Sequence, residues 1–310
     1  KEEYLSLEED KFQKIVCAYL AEYAVKYFGE EQLESNSFTY RLKTILDNVM
    51  YLMKHIMEEL SQSEFFVADC ELKIGEDIPS YTIVLPDGHK IAVCGSVDRV
   101  DIMQRADITY LRIIDYKTGT KQFKLSDILY GINLQMLLYL HSIEASGGDK
   151  YGEIVPAGIL YMPATVPYIS SDSLKSIDKL PDELNKKLKM NGLLLKDTEI
   201  IHGMDKTDVA TYIPVKIKAG EPVSSTSLAT LAEFGKIFKK VDMLIAEMGK
   251  NIYNGNIEAK PLKGGHDSCE YCPYDSVCAY RQSNPITCFS VDNKTVIEEI
   301  TNEINGKEEE

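Results

Sequence analysis

The chain has 310 residues, 44% of them apolar, with 49 acidic against 34 basic residues, a formal net charge of −15 and seven cysteines. This length and apolar content support one core domain plus an elaboration, no apolar run approaches the ~18 residues of a membrane span, and nothing reads as a charged-then-apolar leader. The net acidity argues against tight autonomous binding to nucleic acid, whose non-specific affinity comes mostly from phosphate neutralisation. An odd cysteine count with three packed into ten residues suits metal binding better than a secreted disulfide framework, so a cytoplasmic protein is expected.

Residues 1 to about 62 read as helices, among them the apolar-spaced run Leu42–Met53. Strands follow at Phe66–Ile74, Tyr81–Leu85, Lys90–Val100 and Tyr110–Tyr116. Pro86-Asp87-Gly88 turns the second into the third, and the polar run Gln104-Arg105-Ala106-Asp107 closes a hairpin between the third and fourth. A helix starting at Leu125-Ser126-Asp127 runs to Ile143 and leads to an apolar strand at Gly158–Met162. The stretch 166–227 reads as an insertion bracketed by the loops Ser170–Ser173 and Ala219–Ser227, with no chemistry assigned. Helix resumes near Leu228 and runs towards Asn254, where Gly255 is a stop; the Glu-rich end at Glu308–Glu310 reads as a solvated tail. The expected class is α/β, a three-layer α/β/α core with a mixed central sheet.

The hairpin carries the chemistry. The midpoint between Asp98 and Asp115 falls inside its loop, so the two carboxylates stand opposite each other with Cβ atoms about 5 Å apart. Lys117 shares the face of Asp115, because strand side chains alternate with period two. A lone Asp is usually solvated, but like charges opposed across strands are destabilising and call for a compensating cation. Oxygen ligands of this kind suit Mg²⁺ or Mn²⁺. Such an ion acidifies its water and offsets phosphate charge, and Lys117 can orient the water and stabilise the transition state; the pattern is that of metal-assisted phosphodiester hydrolysis. On the following helix Gly131, Gln135 and Tyr139 recur every four residues and form one line. A helix-interior Gly costs about 1 kcal/mol relative to Ala, which fits close approach by a DNA strand. The other reading packs Tyr139 at a core edge with Gln135 capping backbone. Between Arg99 and Lys124, six basic residues (Arg99, Arg105, Arg112, Lys117, Lys121, Lys124) face three acidic ones (Asp101, Asp107, Asp115), a local net of +3 suited to guiding a strand.

Gly95-x-x-Asp98-Arg99, Asp115-Tyr-Lys117-Thr-Gly119 and Gln135-x-x-x-Tyr139, in this order, resemble the motifs of RecB-type nucleases of the PD-(D/E)XK superfamily. The resemblance implies a restriction-endonuclease-like core with Asp98, Asp115 and the Tyr116 carbonyl on the metal, Lys117 in catalysis, and Gln135 and Tyr139 facing DNA. The family often carries an acid on the first strand, but Glu71 there reads more simply as solvent-facing. The family's upstream metal-binding His is not placed by these motifs: His55 lacks the usual flanking pattern, so the helix that carries it is expected before residue 1, with His55 as a substitute the alternative reading.

Cys269-x-x-Cys272-x5-Cys278 places soft ligands at a spacing that suits Zn²⁺ or an iron–sulfur cluster, with His266 or Cys288 as a local fourth ligand for zinc. Together with the preceding helix, Gly255-x-Ile257 and Pro261, this segment resembles the nuclease-bearing subunits of the AddAB-type helicase-nuclease family. That resemblance implies a [4Fe-4S] cluster on Cys269, Cys272 and Cys278, a fourth Cys far upstream, and an AddA-type helicase-nuclease partner. Cys17 sits among apolar residues and does not fit that fourth place, so a piece of a longer polypeptide, with an incomplete cluster, is expected. The chain then divides into a helical part (1–62), a nuclease core (63–165), the insertion (166–227), a helix and Cys-cluster segment (228–288) and an acidic tail (289–310). The expected activity is that of a metal-dependent DNA exonuclease in double-strand-break processing. Alternatives are a CRISPR-associated RecB-type exonuclease, or a nuclease-derived DNA-binding or assembly module.

Overall fold

The computed structural model describes residues 5–6, 8–119, 122–167, 180–218, 220–222, 226–278, 280 and 285–308. The Ser170–Ser173 loop, part of the Ala219–Ser227 loop, Lys121 and Glu309–Glu310 lie outside them. No helix among the described residues is long and apolar enough to cross a membrane.

The N-terminal part folds as helices α1 (Glu9–Phe28), α2 (Glu30–Leu33) and α3 (Asn36–Ser61). Six strands form the main sheet, in the order β1-β4-β5-β6-β7-β10. Its first half comprises β1 (Phe66–Ile74), β4 (Gly95–Arg105) and β5 (Ile108–Lys117), all antiparallel. The strand expected over Lys90–Val100 breaks at Cys94. Its first half, β3 (Lys90–Val93), pairs with β2 (Tyr81–Val84) as a separate ribbon, and its second half enters the sheet. The β4–β5 turn is only Ala106-Asp107, shorter than the expected four-residue loop, and Ala106 takes the positive φ of 49° that two-residue hairpins require.

Beyond β5 the chain departs from the expected continuous helix. Leu125–Tyr130 is a 3₁₀ helix that ends at Gly131 with φ 68°, and α4 begins only at Gln135 and runs to Ser146. Gly131 is therefore not helix-interior: it is the left-handed cap of the 3₁₀ turn, a φ that favours glycine, with the tip of the Met248 side chain over it. After α5 (Gly148–Tyr151), β6 (Glu153–Pro163) returns parallel to β5, completing a crossover through α4.

The stretch read as an insertion supplies core structure. Between α6 (Leu180–Leu188) and α7 (Thr198–Met204) lies β7 (Asn191–Leu195), antiparallel to β6, with Leu193 and Leu194 fully buried. A short ribbon, β8 (Ile217–Lys218) and β9 (Glu221–Pro222), precedes β10 (Leu228–Ala229), which joins β7 in parallel. Then comes α8 (Leu231–Tyr253), started by a capping box of Thr230 and Glu233. The cysteine segment contains β11 (Leu262–Gly264), the single turn α9 (Asp275–Cys278) and β12 (Ile286–Cys288), with β11 and β12 parallel. The supposed acidic tail forms α10 (Asn293–Glu308), which packs on α8 and buries Val296 and Ile300, an apolar pair four residues apart beneath its acidic face.

Helices flank this mixed sheet, which gives the α/β class expected. Helix α3 approaches it through an ionic cluster: Glu59 of α3 with Arg99, Asp101 and Arg112 of β4 and β5, each no more than 2% exposed. Arg99 donates to both Asp101 oxygens at 2.7 Å and to Glu59 at 3.0 Å, and Arg112 reaches Glu59 at 2.6 Å and Asp101 at 2.9 Å. Two cations and two anions balance, the condition under which buried charge is tolerated. Burial works against an ionised Asp101, but the two guanidiniums outweigh it and hold the carboxyl below its usual range.

Candidate active site

The β4–β5 ladder ends at Arg99 opposite Ile114, so the next pair in that register is Asp98 and Asp115, at the point where the strands part. The Asp98 carboxylate replaces the missing ladder bond by accepting the Tyr116 backbone N–H at 2.9 Å. The Lys117 ammonium lies 2.5 Å from Asp115 Oδ2, which is buried and accepts no well-formed hydrogen bond among the described residues. Tyr161 of β6 stands across from Asp115, and Lys117 lies over its ring at 5.6 Å. Burial, then the Asp115 and Asp127 carboxylates, push the Tyr161 phenol up to about 12.

Tyr116 points the other way, as alternation requires. Its hydroxyl takes a hydrogen bond from Arg99 at 3.3 Å, so the residue between Asp115 and Lys117 is held through its amide by Asp98 and through its phenol by the ionic cluster. The site strand is thereby anchored on two sides.

Glu71 is exposed, as expected, and lies level with Asp98, since its neighbours Cys70 and Leu72 pair with Arg99 and Val97. It takes an unusual φ of 55° and accepts a hydrogen bond from Ser96 at 3.0 Å. Its signal in the sequence was register: counted along the antiparallel pair, an acid on the first strand falls into one row with Asp98 and Asp115.

Gln135 is exposed and its amide donates to the Tyr139 hydroxyl at 3.4 Å. The Tyr139 ring packs against Gly95, where any Cβ would collide with it. The Gly of the first motif and the Tyr of the last are thus packing partners, which brings Tyr139 onto the strand that carries Asp98. His55 lines a cleft with Tyr116 and Met162, beside the ionic cluster, with burial holding its pKa below the ordinary value.

The local surplus of cations also changes. Arg99 and Arg112 are consumed by Glu59 and Asp101, and Arg105 pairs with Glu64 and Glu199. Of the six basic residues counted, Lys117 pairs with Asp115 within the site, and the exposed Lys124 has no ion-pair partner among the described residues.

The oxygen donors at the strand fork are hard ligands of the kind that divalent magnesium or manganese takes. Among the described residues no three His, Cys, Asp or Glu side chains gather as for one metal ion. The register sets Asp98 and Asp115 opposite each other, two carboxylates where such a group needs three. The cysteines Cys269, Cys272 and Cys278, expected to share a centre, form no such group among the described residues. Cys269 and Cys272 are half-buried and Cys278 exposed, and their segment is organised by its own turns, the Cys272 amide to Cys269 at 3.2 Å and the Cys278 amide to Tyr274 at 2.8 Å.

A mixed sheet with two aspartates and a lysine at a strand fork defines a nuclease architecture, and the profile of the PD-(D/E)XK nuclease superfamily matches residues 3–279: the chain belongs to that superfamily. More particularly, it is similar to bacterial proteins named as a subunit of an ATP-dependent helicase/deoxyribonuclease. That of Thermoanaerobacter sp. (strain X514) is 38% identical over 246 residues, 77% of this chain and 21% of the relative. Those of Alkaliphilus oremlandii and Alkaliphilus metalliredigens are 36% and 33% identical, over 85% and 91% of the chain and 24% and 25% of their own lengths. The chain therefore spans about a fifth to a quarter of these relatives.

Proposed function

We propose that this chain is the nuclease domain of an AddB-like subunit that works in the cytoplasm with an AddA-type helicase-nuclease, degrading DNA at double-strand breaks for recombinational repair. The observation that carries this reading is the fork at Asp98 and Asp115, with Lys117 beside it. Asp98, Asp115 and the Tyr116 carbonyl hold a Mg²⁺ or Mn²⁺ ion, with Glu71 at the edge of the same row. When bound, the ion acidifies water and offsets charge on the phosphate. Lys117 donates hydrogen bonds to the attacking water or to the phosphate oxygens, where a fixed ammonium stabilises growing negative charge. Gln135 and Tyr139 line the approach of the strand.

Cys269, Cys272 and Cys278 hold a [4Fe-4S] cluster in the full-length subunit with a fourth thiolate from another part of the polypeptide. This part of the reading rests on their spacing and on the resemblance, not on their arrangement in space.

Cleavage of single-stranded DNA by the full helicase-nuclease complex tests the proposal. Asp115→Ala and Lys117→Ala should each abolish Mg²⁺-dependent cutting by this site and leave unwinding intact. Near-normal cleavage of both strands by either variant would refute it.

A further inference from the structure

A polar cleft of about 240 Å³ opens between the 3₁₀ turn, the loop before α4 and the cysteine segment, lined by Gln122, Lys124, Asp127, Ile132, Asn133, Gly265 and His266. It is smaller than the roughly 300–1,000 Å³ of pockets that enclose a free small molecule, and its lining is mostly polar. That combination suits one unit of a chain passing through rather than a whole ligand.

Its position follows from the sheet. Asp115 faces Tyr161 across β5 and β6, Tyr161 faces Asn191 across β6 and β7, and the Asn191 side-chain oxygen accepts the Phe123 amide at 2.7 Å. Phe123 is flanked by Gln122 and Lys124, so the cleft begins about two strand spacings, roughly 10 Å, from Asp115. The one carboxylate in the lining, Asp127, is engaged by Asn133 Nδ2 at 2.6 Å. Lys124 has no ion-pair partner among the described residues, and His266, like Gln122, is exposed. The far wall is fixed to the core: the Phe289 amide, next to Cys288 of β12, donates to the Tyr130 hydroxyl of the 3₁₀ turn at 2.9 Å.

We propose that this cleft is a subsite for the DNA strand, in which Lys124 and His266 hold a backbone phosphate adjacent to the one presented at Asp98 and Asp115, so that the cysteine segment forms one wall of the strand's path. The inference rests on the nuclease reading. It gives the C-terminal segment a role in binding substrate that does not depend on which metal its thiols take.

The test is fluorescence anisotropy of a labelled single-stranded oligothymidylate, titrated with the full helicase-nuclease complex carrying the parent sequence of this chain or its Lys124→Gln or His266→Gln variant, at several salt concentrations. Cleavage by the parent in Mg²⁺ is followed in parallel, and circular dichroism checks that each variant is folded. Each variant should raise Kd about fivefold or more, and Lys124→Gln should flatten the slope of log K against log salt by about 0.7, the loss of one single-strand phosphate contact. A parent that binds and cleaves while both folded variants keep its Kd and slope would overturn the subsite alone. A parent that neither binds nor cleaves would overturn the nuclease reading and the subsite with it.

Discussion

Asp98 does two things with one carboxylate. Oδ2 holds the Tyr116 amide at 2.9 Å, which fixes the strand fork, and the negative charge attracts a cation. Asp98→Asn separates these roles, because the amide oxygen still accepts the hydrogen bond while the charge is gone. The expected outcome is a fold with an unchanged melting temperature and cleavage reduced about 100-fold or more, since metal charge stabilisation contributes several kcal/mol and each 1.4 kcal/mol is a decade in rate. Steady-state cleavage with parallel thermal unfolding checks it. At this scale the acidic pair and the lysine were legible in the sequence, because strand alternation and a hairpin midpoint are enough to align them. Arg99 and Arg112 were not. They look like surface cations until Glu59, 40 and 53 residues upstream, is placed beside them, and no local pattern announces a partner that distant.

Among the elements, the loosest-looking unit is the β2–β3 ribbon, tied to the body through a shared histidine. His141 of α4 lies between Asp242 of α8 at 3.2 Å and Glu144 at 3.3 Å, touches the Tyr81 hydroxyl of β2 at 3.2 Å, and stacks on Phe238 at 4.6 Å. Burial works against its charge, but the two carboxylates outweigh burial and raise its pKa to about 9. The pKa is higher folded than unfolded, so this contribution to stability is complete below the ordinary value of about 6.5 and is lost as pH rises through about 9. The melting temperature should therefore fall by a few degrees between pH 6.5 and 9.5 from this group, and His141→Gln should flatten that part of the profile. An unchanged profile in the variant would remove His141 from the account. The element boundaries show what periodicity misses. The spacing of Gly131, Gln135 and Tyr139 is helical on paper, yet Gly131 caps the 3₁₀ turn in a left-handed conformation and splits the run, a local stop that periodicity alone passes over. The strand β7 escaped notice for a related reason: five residues, Asn191–Leu195, between two helices carry too few positions for alternation to register.

For the whole molecule, a net charge of −15 argues against capture of a DNA strand by bulk electrostatics, which fits the proposal that a partner delivers the strand. The three clustered cysteines belong to the same scale, because their proposed fourth ligand comes from another part of a longer polypeptide. Three thiolates leave one iron without a protein ligand, so anaerobically purified chain should contain well under four irons and lack strong visible absorbance. A stoichiometric cluster held by Cys17 or Cys288 would contradict that assignment. The α/β class and the core strands β1, β5 and β6 could be read from the sequence because each carries an apolar run, whereas the break at Cys94 that sends β3 into a separate ribbon could not. The acidic C-terminal stretch could not, since Val296 and Ile300 show their purpose only against α8.

The central claim, that the β4–β5 fork is a divalent-metal site, is tested most directly by anomalous diffraction from crystals of the chain grown with Mn²⁺. The account predicts one strong peak bounded by the Asp98 and Asp115 carboxylates and the Tyr116 carbonyl, abolished in Asp115→Ala crystals. A well-ordered fork with no peak, or manganese bound only elsewhere, would contradict it.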